Sequence, residues 1–307
     1  MLKIGTRESQ LAIWQATLVK NLLIKQEISS ELVYIKSEGD VDTITPLYEL
    51  GVQGIFTKTL DAALLNNRID IAVHSMKDVP TSLADGLQQA AVLERASYKD
   101  ILVYNDDAGF LEDAHTPATI ATSSIRRKAQ WIHRFPNHTI ENLRGNVNTR
   151  LRKVFESNWQ GAIFAAAGLE RIDLRPEKSV DLDWMLPSPA QGAIVILCRK
   201  NDAAALEYCK PFNDDNTSIC TKIEKDFLRA LSGGCSTPIS ALAECKNGFI
   251  HFQGNICSTD GKHIIGIEKE SSADSAVDLG LKAGTELLQN SIVQKIISDI
   301  KNARKEN

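Results

Sequence analysis

The sequence predicts an α/β protein: two α/β domains with a cleft between them, plus a smaller C-terminal α+β domain. Three observations carry this reading. Strand-like and helix-like segments alternate through residues 1–94, and a second alternating stretch runs over 98–188 with no sequence repeat of the first. From about 216 onward the order changes to a helix, a run of strands and two closing helices. The chain has 307 residues, and a single core stops growing at roughly 250–300 residues, so two or three domains are expected.

In chain order, Leu2-Lys3-Ile4 is a short strand, and Ser9 caps a helix whose apolar residues Leu11, Trp14, Leu18 and Leu22 recur at helical spacing. Leu32 to Ile35 is a second strand, Phe56 to Leu65 a helix, and Ile69 to His74 a third strand, with Pro80 as a stop a few residues later. This alternation predicts parallel strands with crossover helices. The second unit has strands at Ile101–Tyr104, Thr119–Thr122, Thr139–Asn142 and Ala162–Ala166, with helices starting near Ser124 and Asn146. Pro187-Ser188-Pro189 punctuates its end. The apolar strand Ala193–Cys198 is placed to return to the first domain. The third unit opens with a helix over Ser218–Leu231. Its strands are Ile239–Cys245, Phe249–Ile256 and His263–Glu268, and helices near 273–289 and 292–303 close it. The domains read as 1–94 with 193–212, then 98–188, then 216–307.

Composition excludes several classes. Hydrophobic content of 43% and charged content of 24% suit an ordinary globular chain. A formal net charge of −4 offers no long-range attraction to nucleic acid or an anionic membrane. No apolar run approaches the roughly 20 residues that span a bilayer. The chain opens directly on a strand with no leader, which predicts a cytoplasmic protein. The six cysteines, 198, 209, 220, 235, 245 and 257, are far apart and form no Cys-x-x-Cys pair. Reduced thiols are expected, and no metal site.

Three constellations carry chemistry. Leu231-Ser232-Gly233-Gly234-Cys235-Ser236-Thr237-Pro238 sets a thiol after two glycines, just past a helix. Glycines allow tight backbone that exposes a side chain, and an accessible thiolate is a nucleophile. The competing reading is a small buried hydrophobe. His74-Ser75-Met76-Lys77-Asp78-Val79-Pro80 lies at the carboxyl end of a predicted parallel strand, where ligands of such sheets bind. Alone it reads first as an ordinary Asp-containing turn closed by a proline. Arginines then recur after strands: Arg7, Arg126 and Arg127 beside Ser123-Ser124, Arg144 and Arg150, and Arg171. A single one would be solvated surface. Several at strand ends of an acidic protein, two of them at helix N-termini, imply a ligand with several carboxylates or phosphates. Neither a Gly-x-x-x-x-Gly-Lys loop nor a Gly-x-Gly-x-x-Gly turn is present, so a nucleotide is not favoured.

Taken together, Gly5–Ala12, His74–Pro80, Ser123–Arg127, Leu143–Arg150, Ala165–Leu169, Gln191–Ala193 and Gly233–Cys235 resemble the hydroxymethylbilane synthase family, also called the porphobilinogen deaminases. The resemblance spans nearly the whole chain. It implies two domains like periplasmic solute-binding proteins and a third that carries the cysteine. It implies a transferase of tetrapyrrole and heme biosynthesis that joins four porphobilinogen molecules head to tail, each with loss of ammonia, and then releases hydroxymethylbilane by hydrolysis. It implies a dipyrromethane cofactor held by a thioether to Cys235, with no metal. On this resemblance Asp78 is the catalytic carboxylate. Arg7, Ser9, Gln15, Ser75, Lys77, Thr122, Ser124, Arg126, Arg127, Arg144, Gly145, Arg150, Arg171 and Gln191 would bind cofactor and substrate, and Gln53 and Phe56 belong to a lid loop. A monomer is implied, with product passing to uroporphyrinogen-III synthase.

The chain departs from the family pattern at three places. Gln53 stands where a lysine is frequent, Ser232 where an acidic residue is common, and Ala190 where a glycine is frequent. Two other readings compete. One is a two-domain solute- or effector-binding protein for a polycarboxylate ligand, which has no need of the third domain. The other is a thiol hydrolase, which requires a histidine partner; His251 and His263 both fall in strand patterns.

Overall fold

The computed structural model describes residues 1–36, 57–113, 115–234 and 237–303. The strands, in chain order, begin with β1 (Leu2–Thr6), β2 (Ser30–Tyr34), β3 (Ile71–Ser75) and β4 (Leu87–Val92). Next come β5 (Asp100–Tyr104), β6 (Thr119–Ala121), β7 (Thr139–Glu141), β8 (Gly161–Ala165) and β9 (Ser179–Asp181). Then β10 (Ile194–Arg199) precedes β11 (Ile239–Lys246), β12 (Phe249–Cys257) and β13 (Ile264–Ser272).

They form three sheets. The first has the order β2-β1-β3-β10-β4 and the second β7-β6-β8-β5-β9. These are one diagram drawn twice. In each, the first three strands are parallel, and the fourth runs antiparallel to its neighbours on both sides. The expectation of parallel strands therefore holds for only part of each sheet. The reason is connectivity: β10 enters the first sheet from the second unit, and β5 enters the second sheet from the first. The edge strands β4 and β9 were not expected from the sequence.

Core packing explains the strand compositions. Ile194, Ile196 and Cys198 of β10 pack on one face of the first sheet with Ala16, Val19 and Leu23 of the helix Gln10–Lys25. Val195 and Leu197 pack on the other face with Leu60 and Leu64 of the helix Lys58–Leu65. A strand buried on both faces reads as a continuous apolar run. The same holds for β5, whose Ile101 and Val103 face one core and Leu102 the other. The third sheet has the order β11-β12-β13 and is antiparallel. Its β12 alternates exposed Phe249, His251 and Gln253 with buried Ile250, Phe252 and Gly254. The buried face packs on the helices Asp215–Ala230, Leu279–Leu287 and Ser291–Ala303. The helix expected from 273 begins instead at Leu279, after a single 3-10 turn at Ala273–Ser275.

Two segments join the first sheet to the second, residues 93–99 and 182–193. They touch where Ala96 N–H donates to Gly192 O at 3.1 Å. Gly192 has φ +88°, and a Cβ there would lie 2.6 Å from the Ala96 carbonyl oxygen. Only glycine fits this crossing. Among the described residues no helix is long and apolar enough to cross a membrane.

Candidate active site

The carboxyl ends of the parallel strands in both sheets open on one cleft of about 840 Å³. Each strand hands its functional residue to a helix N-terminus or a tight turn. After β1 comes Arg7, then Ser9, whose Oγ caps the next helix at Ala12 N–H. After β3 a 3-10 turn, Met76–Asp78, presents Lys77 and Asp78. After β6, Ser124 caps the helix Ile125–Arg134 by accepting from Arg127 N–H. After β7, Asn146 caps the helix Val147–Glu156 by accepting from Thr149 N–H at 2.9 Å. Gly145 before it has φ +113°, a conformation that favours glycine.

Of the residues singled out from the sequence, Arg7, Ser9, Gln15, Ser75, Lys77, Asp78, Thr122, Ser124, Arg126, Arg127, Arg144, Gly145, Arg150 and Gln191 line this cleft. Arg171 does not. Its Nη2 donates to the Gly192 carbonyl at 2.7 Å, and its guanidinium lies 5.8 Å from the Trp14 ring centroid. These contacts set it at the domain crossing. Cys235, Gln53 and Phe56 lie outside the described residues.

Several members bond to one another. Gln15 Nε2 donates to Ser75 Oγ at 2.8 Å. Lys77 Nζ donates to Gln191 Oε1 at 3.2 Å. Arg150 Nε donates to the Gly145 carbonyl at 2.7 Å. Lys36 and Lys153, not expected from the sequence, join the lining. The lining then counts Arg7, Lys36, Lys77, Arg126, Arg127, Arg144, Arg150 and Lys153 against Glu8 and Asp78 among the described residues. This local excess of positive charge stands out in a chain of net charge −4.

The crowding shows in the titration of its members. Burial, reinforced by Arg127, brings the Lys77 ammonium down to about 8, against the opposing pull of Asp78 and Asp100. Burial, with Arg127 and Arg144 close by, brings Arg150 down to about 10. Both remain cationic at neutral pH. His74, beneath Arg7, is brought down to about 3 by burial and then by the Arg7 charge.

A residue the sequence reading passed over organises this wall. Asp100 has no solvent exposure and ion-pairs with Arg126 and Arg127, each at 2.7 Å. Burial alone would raise its pKa; the two guanidiniums overcome that and hold it well below the usual carboxylate range. The available signal was positional: an acidic residue opens a strand whose next three residues are fully buried.

The cation-rich cleft fits a carboxylate-bearing group. Lys77, Ser124, Arg126 and Ser188 also line a smaller cavity of about 50 Å³ that reaches Gly233 and Gly234, directly before Cys235. Burial pushes the thiols of Cys209, Cys220 and Cys257 up to about 12, so these remain protonated and unreactive. His251 faces Glu270 at 2.9 Å on the exposed face of the third sheet. Among the described residues there is no cluster suited to a metal ion.

Comparison with known proteins agrees with this arrangement. Residues 2–207 match the family model "Porphobilinogen deaminase, dipyromethane cofactor binding domain", and residues 218–289 match "Porphobilinogen deaminase, C-terminal domain". Porphobilinogen deaminases from two strains of Acidithiobacillus ferrooxidans are each 37% identical over 308 residues, covering 98% of this chain and 99% of theirs. Solved structures similar in outline include the periplasmic VFT2 domain of Bordetella pertussis BvgS. It has 12% identity and a TM-score of 0.42, over 68% of this chain and 85% of that one. A nutrient binding protein from Burkholderia cenocepacia bound to methionine has 14% identity and a TM-score of 0.43, over 71% of this chain and 93% of that one. The chain belongs to the porphobilinogen deaminase family, the hydroxymethylbilane synthases, transferases of tetrapyrrole biosynthesis that work with a dipyrromethane cofactor.

Proposed function

We propose that Asp78 is the catalytic carboxylate of this transferase and that the cleft arginines form a track for the carboxylates of porphobilinogen and of the growing chain. The observation that carries this reading is Asp78 on a 3-10 turn after β3, in a cleft whose described lining holds five arginines and three lysines against two carboxylates. Each porphobilinogen brings an acetate and a propionate, so anionic charge accumulates with every unit joined. Arginine matches carboxylate bidentately and keeps its charge when partly buried.

Dipyrromethane, when bound through Cys235, supplies the pyrrole carbon to which porphobilinogen units are joined. The chain's own residues do the rest. Loss of ammonia from porphobilinogen leaves positive charge shared with its pyrrole nitrogen. Asp78 stabilises that charge and holds the pyrrole N–H, and it relays the proton that must leave when the new carbon–carbon bond forms. Lys77, Ser75, Thr122 and Ser124 hold cofactor side chains. Arg7, Arg126, Arg144 and Arg150 orient substrate carboxylates. Arg127, committed to Asp100 and the Ile163 carbonyl, contributes charge. Cys235 suits the attachment because a thiolate is a strong nucleophile toward a soft carbon electrophile.

This reading includes three domains, 1–94 with 193–212, 98–188 and 216–307, supported by the pairing of β10 with β3 and β4. It also includes a monomeric cytoplasmic enzyme that passes its product to a uroporphyrinogen-III synthase. The test is Asp78→Asn. The variant is expected to keep its cofactor and to lose about 10²-fold or more in turnover. Wild-type steady-state turnover in that variant removes Asp78 from the mechanism.

A further inference from the structure

We propose that Asp100 is a positioning residue for this cleft: one buried carboxylate that holds Arg126 and Arg127 side by side and is linked through Gln191 to Lys77 on the other wall. The inference rests on the carboxylate-binding reading above.

Asp100 Oδ1 is held by hydrogen bonds, and Oδ2 by an ion pair alone. Asp100 Oδ1 accepts from Arg127 Nε at 3.1 Å and Nη2 at 2.7 Å. Its Oδ2 lies 2.7 Å from Arg126 Nη1. Gln191 Nε2 donates to Oδ1 at 2.9 Å, while Gln191 Oε1 accepts from Lys77 Nζ at 3.2 Å. The Gln191 amide is therefore a bridge of two hydrogen bonds between carboxylate and ammonium. Gln191 itself is almost fully buried. It lies on the segment that crosses from the second unit to the first, so the bridge runs along the crossing.

Three cations thus surround one anion in a place where solvent screens little. Without the anion they repel one another, and the two neighbouring guanidiniums would part. With it, each takes a fixed role. Arg127 directs its remaining nitrogen, Nη1, to the Ile163 carbonyl at 2.9 Å. Arg126 uses Nη1 for Asp100 and for the Leu186 carbonyl. Among the described residues nothing engages its Nε and Nη2, a pair suited to a bidentate carboxylate on the cleft side. Lys77 gains as well. Burial, Arg127 and Arg126 all lower its pKa, and Asp78 and Asp100 are the groups that oppose them. Asp100 therefore keeps the ammonium charged through the neutral range.

The test follows the charge on Lys77 directly, by pH-dependent acylation of the purified enzyme and peptide mass spectrometry. The wild-type midpoint is expected at about 8. In Asp100→Asn it falls by about one pH unit, and the alkaline limb of kcat/KM moves down with it. A merely structural Asp100 leaves both unmoved in a folded variant, and that result overturns the proposal. Should Asp100→Asn fail to fold, Gln191→Met cuts the bridge and keeps both ion pairs; its Lys77 midpoint must also fall, and an unchanged midpoint overturns the proposal equally. If the midpoint falls while the wild-type enzyme fails to consume porphobilinogen, the functional reading is wrong and the positioning role stands.

Discussion

Glu224 and Arg95 form a bidentate ion pair, 2.6 Å to Nη1 and 3.1 Å to Nη2, at a point where the Glu224 side chain has no contact with solvent. The same carboxylate accepts from Ala190 N–H at 2.6 Å and Ala243 N–H at 2.8 Å. Arg95 Nε also donates to the Gln191 carbonyl at 2.8 Å. The third unit's first helix is thereby fastened to both crossing segments and to β11. Removing one partner strands a buried charge, which costs about 3–5 kcal/mol. Glu224→Gln is expected to lose that amount in chemical denaturation. A loss under about 1 kcal/mol would show that the junction is held by packing alone.

His74 makes stability depend on pH. Its ordinary value of 6.5 is brought to about 3 by burial and by Arg7, and its Nε2 has no hydrogen-bond partner among the described residues. Below 6.5 the unfolded chain takes up a proton that the folded chain refuses. The contribution is complete above that pH and is lost progressively as pH falls toward 3. The urea midpoint should drop more between pH 7.5 and pH 5 in the wild type than in His74→Leu. Equal drops would assign the acid sensitivity to other groups.

Backbone conformation gives a pair of opposite predictions. Gly192→Ala places a methyl group against the Ala96 and Ser97 carbonyls at a φ of +88°. It should destabilise the protein by about 2 kcal/mol or more. Ser232, exposed and at φ 54°, ends the helix Asp215–Ala230 in the left-handed region. Ser232→Gly should raise stability by about 0.5–1 kcal/mol. Thermal unfolding of the two variants reads both signs. A gain in the first or a loss in the second would show that these backbone conformations do not limit stability.

The arginine track predicts a dependence on chain length. Arg150 is a cleft cation with only its Nε committed among the described residues, to the Gly145 carbonyl. Arg150→Leu should slow the later additions more than the first, because the charge to be neutralised grows with each unit. Intact masses sampled during turnover would show populations with added units building up. Equal slowing at every addition argues against a shared track.

The cleft was legible in the sequence because its ligands sit where an α/β sheet must put them. Arg7, Lys77, Asp78, Arg126 and Arg144 each come within a few residues after a strand, and Ser124 and Asn146 mark helix starts by cap chemistry alone. The groups that bind those residues in place were not legible. Asp100 is 27 residues from Arg127, and Glu224 is 129 from Arg95; such carboxylates look like ordinary surface until the fold buries them. The contacts of Arg171 were not legible for the same reason, since Trp14 lies in the other unit and Gly192 on the crossing segment. Strand β4 was missed because Gln88 and Gln89 interrupt its apolar run. Gln88 is in fact satisfied by the Arg199 and Lys200 carbonyls.

On the proposed function, this chain carries its dipyrromethane on Cys235. The most direct measurement is the intact mass of the purified protein under denaturing conditions, with the adduct mapped by peptide analysis. Two linked pyrrole units are expected on the Cys235 peptide, either at once or after incubation with porphobilinogen. A protein that stays unmodified before and after that incubation would contradict attachment at Cys235.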